Sequence, residues 1–259
     1  MSLLTTVIAA ALRAGQCIQG ARDDHRVDRK ADASPVTRAD RDADAVLRSA
    51  LLPAHDASWL SEETADSPER LAAQRVWIVD PLDGTKEFIT GVPEYAVAVA
   101  LVQDGEPVLG VVHNPVTGET FWAERGGGAV LNGQPIHVAE GRVVLASRSE
   151  TKRGEFTPFE DWEVRPVGSI QYKLALVAAG QGAVTWSRGP KHEWDVCAGA
   201  LIVREAGGLA TELAGTPLRY NRPRPKVRGI LAGAPQAHAR ALAELATIGA
   251  SDRMAELDG

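Results

Sequence analysis

A chain of 259 residues that is 44% hydrophobic but only 5% aromatic can bury a large core, in one domain or two tightly packed ones. Its formal net charge of −6 argues against a nucleic-acid polymer as partner, yet admits a compact anionic substrate wherever cations offset the acidity locally. Two cysteines, Cys17 and Cys197, make no disulfide framework and suit a reducing, cytoplasmic setting.

In chain order, residues 2–20 form a predicted helix on which Leu4, Ile8, Ala11, Leu12 and Gly15 share a face. Arg13 interrupts its apolar run and no basic leader precedes it, so the stretch reads as an amphipathic helix rather than a signal peptide or membrane span. A charged stretch leads to a second helix from about Thr37 to Leu52. Thr37 is a good N-cap and Asp40 falls at N3, where a carboxylate favours the helix dipole; capping and function are both open to Asp40. Residues 53–74 read as a loop centred on Ser61-Glu62-Glu63, glutamates that solvation alone would satisfy.

The stretch RVWIVDPLDGTKEFITG (75–91) organises the rest. Val76 to Val79 predict a buried strand that ends at Pro81, which has no N–H to donate. Asp80 and Asp83 are close enough to face one point, and two such carboxylates repel unless a proton or a cation lies between them. Oxygen ligands without His or Cys suit Mg²⁺ or Mn²⁺ rather than zinc. Gly84-Thr85 then opens a predicted helical turn whose free N–H groups would seat a phosphate. A plain solvated turn is the simpler reading of such a segment taken alone. The aspartyl-phosphate loop of haloacid-dehalogenase phosphatases is a poorer fit, because it has one residue between its aspartates where this chain has Pro81 and Leu82.

Residues 95–136 read as a meander of strands turned at Asp104-Gly105, Thr117-Gly118 and Asn132-Gly133. A strand over 142–149 follows, then Gly168-Ser169, a helix from about Ile170 to Ala179, and another strand. Asp195 opens a further helix that ends at Gly207-Gly208 before a strand, with Ala198, Gly199 and Ala200 permitting close packing behind it. A closing helix covers 236–250. Helices and antiparallel strands without regular βαβ units predict an α+β fold.

The separate acidic points form a set. SEE (61–63), WIVDPLDGT (77–85) and WDVCAGALIVREAGG (194–208) resemble, in order, the three metal-binding signatures of the inositol monophosphatase-like superfamily, over roughly residues 5–235. KADASPVTRAD (30–40) and DPLDGTKEFITG resemble the bacterial 3′(2′),5′-bisphosphate nucleotidase branch, whereas inositol monophosphatases more often carry TTNF or TRNF at the place of Thr85-Lys86-Glu87-Phe88.

The resemblance implies a layered αβαβα sandwich of the inositol monophosphatase/fructose-1,6-bisphosphatase type, forming one phosphatase unit over 1–259. An N-terminal α+β half (1–140) would carry the central metal motif, and a C-terminal α/β half (141–259) the WD helix. It implies one Mg²⁺ on Glu62, Asp80 and the Leu82 carbonyl, a second on Asp80, Asp83 and Asp195, and a looser third ion involving Glu62, with Mn²⁺ as a substitute. Asp40 and Thr85 would be the catalytic pair that orients and deprotonates a metal-activated water. Gly84 and Thr85 would hold phosphate oxygens through their N–H groups, and Ser169 would lie in the substrate site. Lithium sensitivity, a small phosphorylated substrate and the absence of a membrane partner are implied as well, and a homodimer is compatible.

For the substrate, inositol monophosphatases usually place a Glu seven residues before the WD aspartate; here that position is Arg188. Lys173 resembles the nucleotidases' lysine near the second phosphate. Both cations favour a doubly phosphorylated substrate such as adenosine 3′,5′-bisphosphate, with inositol phosphates, other sugar phosphates including fructose 1,6-bisphosphate, or binding of a nucleotide without turnover as the alternatives.

Overall fold

The computed structural model describes residues 2–22, 26–29, 35–152 and 161–255, with side chains up to residue 247. Residues 30–34, which belong to the nucleotidase-like stretch, lie outside the described residues. In chain order the elements are α1 (Leu3–Gly20), β1 (Val27–Arg29), β2 (Pro35–Thr37), α2 (Arg38–Leu51), β3 (Ser58–Ser61), a 3₁₀ turn (Pro68–Ala72), β4 (Arg75–Asp83) and α3 (Thr85–Thr90). Then come β5 (Ala96–Gln103), β6 (Glu106–Asn114), β7 (Glu119–Glu124), β8 (Ala129–Leu131), β9 (Gln134–Ile136), β10 (Val143–Ser147) and α4 (Arg148–Lys152). The chain closes with β11 (Glu163–Val167), α5 (Ile170–Ala178), β12 (Val184–Ser187), β13 (Lys191–His192), α6 (Glu193–Glu205), β14 (Leu209–Thr211), β15 (Lys226–Val227), β16 (Ile230–Gly233) and α7 (Pro235–Ala255).

Strands β3 to β9 form a seven-stranded sheet in sequence order, antiparallel throughout except for the parallel β3–β4 pair. A second sheet runs β11-β10-β12-β16-β14. The layering can be read from β5, whose every residue up to Val102 is buried. One side of that strand, Val97, Val99 and Leu101, packs with α1 and α2; the other, Ala96, Ala98, Ala100 and Val102, packs with α5 and α6. The far face of those helices meets Ala210, Ile230 and Ala232 of the second sheet. Beyond it, Val144, Val184 and Leu231 pack against Ala234, Ala237 and Ala241 at the start of α7. The result is the expected αβαβα sandwich, with strands buried on both faces in its interior. The alanines of β5 let α6 approach closely. At Gly110 of β6 an added Cβ would stand 2.9 Å from the Ala198 carbonyl oxygen.

Three local expectations are corrected. Helix α1 buries Val7, Ala10, Ala11, Ala14, Gly15 and Ile18, while Leu12 is 38% exposed. Of the expected face, Ala11 and Gly15 are buried and Leu4 and Ile8 pack at the margin of the core, so only Leu12 is misplaced; at Gly15 the His113 side chain closes on the helix, and a Cβ would come within 2.8 Å of it. Residues 53–74 are not all loop: β3 pairs in parallel with β4, Trp59 opposite Trp77, and the 3₁₀ turn follows. Strand β4 also does not stop at Pro81. Its ladder resumes at Asp83 opposite Ala96 after an irregularity between Asp80 and Asp83, and the break absorbs the proline's missing donor.

Candidate active site

The site begins as a consequence of strand pairing. The β3–β4 ladder sets Ser61 opposite Val79, and Glu62 N donates to Val79 O at 3.3 Å, so Glu62 leaves its strand beside Asp80. Asp80 Oδ1 accepts from Leu82 N at 3.1 Å, closing a short side-chain turn around Pro81. After the bulge, Asp83 Oδ2 accepts from Ser169 Oγ and from Gln171 N, both at 2.6 Å. Asp195 is N3 of α6, and its Oδ2 accepts from His192 N at 2.7 Å. Glu62, Asp80, Leu82, Asp83, Gly84, Thr85 and Asp195 thereby line one open cavity of about 190 Å³.

Asp40 reaches this cavity through Thr85. The capping box expected at Thr37 is formed: Asp40 Oδ2 accepts from Thr37 N at 2.7 Å and from Thr37 Oγ1 at 2.6 Å. Its other oxygen accepts from Thr85 Oγ1 at 3.0 Å. Capping and a partner in the cavity are thus combined in one carboxylate. Gly84 adopts φ 100°, which suits glycine, and an added Cβ would lie 3.0 Å from the Glu94 carbonyl oxygen. Phe88 N bonds back to Gly84 O at 2.9 Å, so the amides of Thr85 and Lys86 precede the first intrahelical bond of α3.

Electrostatics set this cavity apart. Burial raises the Asp83 carboxyl above its usual range despite donors from Ser169 and Gln171 and the nearby Lys173 charge. Burial pushes Asp195 up to about 8, and the negative charges of Asp83 and Glu62 push the same way. Glu87, which lines the same cavity, is also raised, first by burial and then by Asp83. Among the described residues no three carboxylate, imidazole or thiol groups already stand close enough to cage an ion. The set nevertheless fits hard divalent cations: every group it offers is an oxygen, and the crowded carboxylates hold onto protons that a cation would displace.

A second open cavity of about 210 Å³ shares Asp83, Gly84, Lys86, Glu87 and Asp195 with the first. Its remaining wall comes from separate segments: Ser147, Ser149 and Glu150, then Gly168, Ser169, Ile170 and Lys173, then Ser187 and Lys191. Lys173 is 4% exposed, and its Nζ reaches only the Val167 carbonyl, at 3.4 Å, among the hydrogen bonds resolved for it. Burial draws its pKa down to about 8, opposed by the charges of Asp83 and Glu150. Of the two cations expected near a second phosphate, Lys173 lines this cavity. Arg188 is exposed and lies on the wall of neither. Glu87, Glu150 and Lys191 were not among the residues expected from sequence. The only hint lay in their neighbours: Glu87 follows Thr85 by two residues, and Lys191 precedes Asp195 by four.

Residues 1–250 match the inositol monophosphatase family. The inositol-1-monophosphatase of Rhizobium meliloti (strain 1021) is 36% identical over 232 residues, covering 83% of this chain and 86% of that protein. The IMPase of Thermotoga maritima has a similar structure, with a TM-score of 0.82 at 27% identity over 97% of this chain and 99% of that one. CysQ from Bacteroides thetaiotaomicron, a bacterial member of the inositol monophosphatase family, gives a TM-score of 0.76 at 33% identity over 89% of this chain and 96% of that one. With the match spanning nearly all of its length and the αβαβα layers in place, the chain belongs to the inositol monophosphatase family of metal-dependent phosphatases.

Proposed function

We propose that this protein is a Mg²⁺-dependent phosphoric monoester hydrolase whose substrate carries two phosphates, of the adenosine 3′,5′-bisphosphate type. The observation that carries the reading is the pair of joined cavities: one walled by carboxylates, the other holding the buried Lys173. At neutral pH a lysine with a pKa of about 8 is still mostly charged, and it attracts a second anionic group on the substrate. No helix of the described residues is long and apolar enough to cross a membrane.

Glu62, Asp80, Asp83, Asp195 and the Leu82 carbonyl are the groups that would hold divalent ions. When bound, Mg²⁺ supplies charge neutralisation at the phosphate and lowers the pKa of water. The chain supplies orientation and proton handling. Thr85 Oγ1 donates to Asp40 Oδ1, which leaves its oxygen lone pairs to accept a hydrogen bond from the attacking water. Asp40 takes up the proton passed along that pair, and Thr37 keeps its carboxylate fixed through two donors on the other oxygen. The amides of Gly84 and Thr85 would hold phosphate oxygens as the ester bond breaks, and the amide of Lys86, which also precedes the first intrahelical bond, is free to join them.

A second reading, an inositol or broad sugar phosphatase, is favoured by the name of the Rhizobium meliloti relative. A third, a nucleotide-binding protein without turnover, is disfavoured because the Asp40–Thr85 pair is formed. Phosphate release from adenosine 3′,5′-bisphosphate, inositol 1-phosphate and fructose 1,6-bisphosphate, with and without Mg²⁺, separates them. We expect Mg²⁺-dependent release that is fastest on the nucleotide. Equal rates on the nucleotide and inositol 1-phosphate remove the preference, and no release on any substrate removes the enzyme.

A further inference from the structure

Ser169 sits at a strained point. It has φ 54° and ψ 128°, a combination L-residues rarely adopt, yet its Oγ and the amide of Gln171 are the two donors that hold Asp83. Such a conformation persists only where the surroundings over-determine it. What surrounds it is a clamp. Glu94, on the turn between α3 and β5, accepts from the Gly168 amide through Oε2 at 2.7 Å. Arg148, at the start of α4, grips the same carboxylate with both arms: Nε to Oε2 at 2.8 Å and Nη2 to Oε1 at 2.6 Å. Nη2 also donates to the Pro166 carbonyl at 3.0 Å, just upstream of Gly168. Gly168 itself is pressed into the turn, since an added Cβ would lie 2.4 Å from Glu87 Cγ and 2.9 Å from the Glu94 carbonyl oxygen.

We propose that Glu94, clamped by Arg148, is a positioning residue of the carboxylate cavity: by fixing Gly168 it holds Ser169 in the conformation that aims two donors at Asp83. The same turn reaches the other acid-bearing element. Gln171 Nε2 donates to Trp194 O at 2.6 Å and its Oε1 accepts from Gly199 N at 2.8 Å, so α5 is tied to the start of α6 beside Asp195. The Arg148 and Glu94 side chains are 40% and 20% exposed, and their two-pronged fork also contributes to folding, so metal affinity rather than melting temperature is the discriminating readout. What the pair joins is the β4–β5 corner of one sheet to the ends of β10 and β11 in the other, next to the Ser147, Ser149 and Gly168 wall of the second cavity. The inference rests on the reading of Asp83 as a metal ligand, but the clamp can be tested apart from it.

The test is made on the full chain. In metal-free protein, Glu94→Ala should speed hydrogen exchange at residues 168–172 relative to the rest of α5. The same variant should weaken Mg²⁺ binding, measured by calorimetry well below the melting temperature, by about tenfold or more, the range seen when a supporting partner of a metal ligand is lost. Glu94→Gln keeps an oxygen for the Gly168 amide and should retain most of the affinity. If Glu94→Ala does not fold, Arg148→Met leaves Glu94 in place without its clamp and should move both readouts in the same direction by less. Unchanged exchange at 168–172 together with unchanged Mg²⁺ affinity overturns the proposal, even where the melting temperature falls. Wild-type protein that binds no Mg²⁺ overturns the metal reading instead, and the exchange measurement then decides the clamp alone.

Discussion

The two joined cavities are built differently. The carboxylate corner is assembled mainly from one strand pair and its continuation: β3 delivers Glu62, β4 delivers Asp80 and Asp83, and α3 follows at once with Thr85. Only Asp40 and Asp195 arrive from elsewhere, each at N3 of a helix. Beyond the five residues it shares with the corner, the second cavity is walled by segments remote from one another in sequence: 147–150, 168–173 and 187–191. A corner drawn from one ladder has its geometry set by hydrogen-bond register, whereas a wall drawn from chain ends depends on how two sheets sit across α5 and α6. The same fold can therefore keep its chemistry while its substrate preference changes.

The sharpest way to break that contrast is at the corner. Asp83→Asn or Asp195→Asn should lower turnover by more than the roughly 10–100-fold typical of losing a supporting residue, while circular dichroism stays native. Near-normal phosphate release from either variant would show that the corner is not where the chemistry occurs. Next comes pH. Asp195, raised to about 8 in the metal-free fold against an ordinary aspartate value of 3.8, holds a proton that the unfolded chain has released. Its contribution to the stability of metal-free protein therefore falls as pH rises from about 4 to 8. Mg²⁺ must displace that proton, so its affinity should climb about tenfold per pH unit below 8, and a fixed Mg²⁺ concentration should raise the melting temperature more at pH 8 than at pH 6. A shift that is the same at both pH values would contradict it.

At the wall the expected effect is smaller and selective. Lys173→Met should weaken kcat/KM on a bisphosphate substrate by about tenfold, in line with loss of one hydrogen bond to a charged group, and leave a monophosphate nearly unaffected. Equal losses on both would place Lys173 in the fold rather than in substrate choice. Away from both cavities, Gly15→Ala forces a methyl against His113 and should cost about 1–3 kcal/mol in urea unfolding, with Mg²⁺ affinity unchanged.

The contrast also explains what could be read in the sequence. The corner was legible because its residues are consecutive or sit at helix starts with recognisable caps: RVWIVDPLDGT, Thr37 with Asp40, and the WD opening of α6. The layers came from the family resemblance rather than from patterning, which on its own gave an α+β fold; the apolar runs of the meander match strands buried on both faces. The segment before β4 was not, because polar flanks hide a strand whose pairing comes from its neighbour rather than from its own period. On α1 the expected face holds except at Leu12, which is exposed beside the point where the His113 side chain closes on Gly15. Along the wall, Arg188 was expected for its spacing from Asp195, yet the short strand β13 and the turn before it present Lys191 instead. Spacing along the chain is informative inside a helix and loses that value across a turn.

The near-contact of Gly110 with the Ala198 backbone carries one more consequence. Helix α6 is wedged between two sheets with no slack on the side that faces β6, so the position of Asp195 is inherited from the thickness of the middle layer. A single methyl added at Gly110, which lies on the wall of neither cavity, would push the helix outward and shift the carboxylate corner from behind.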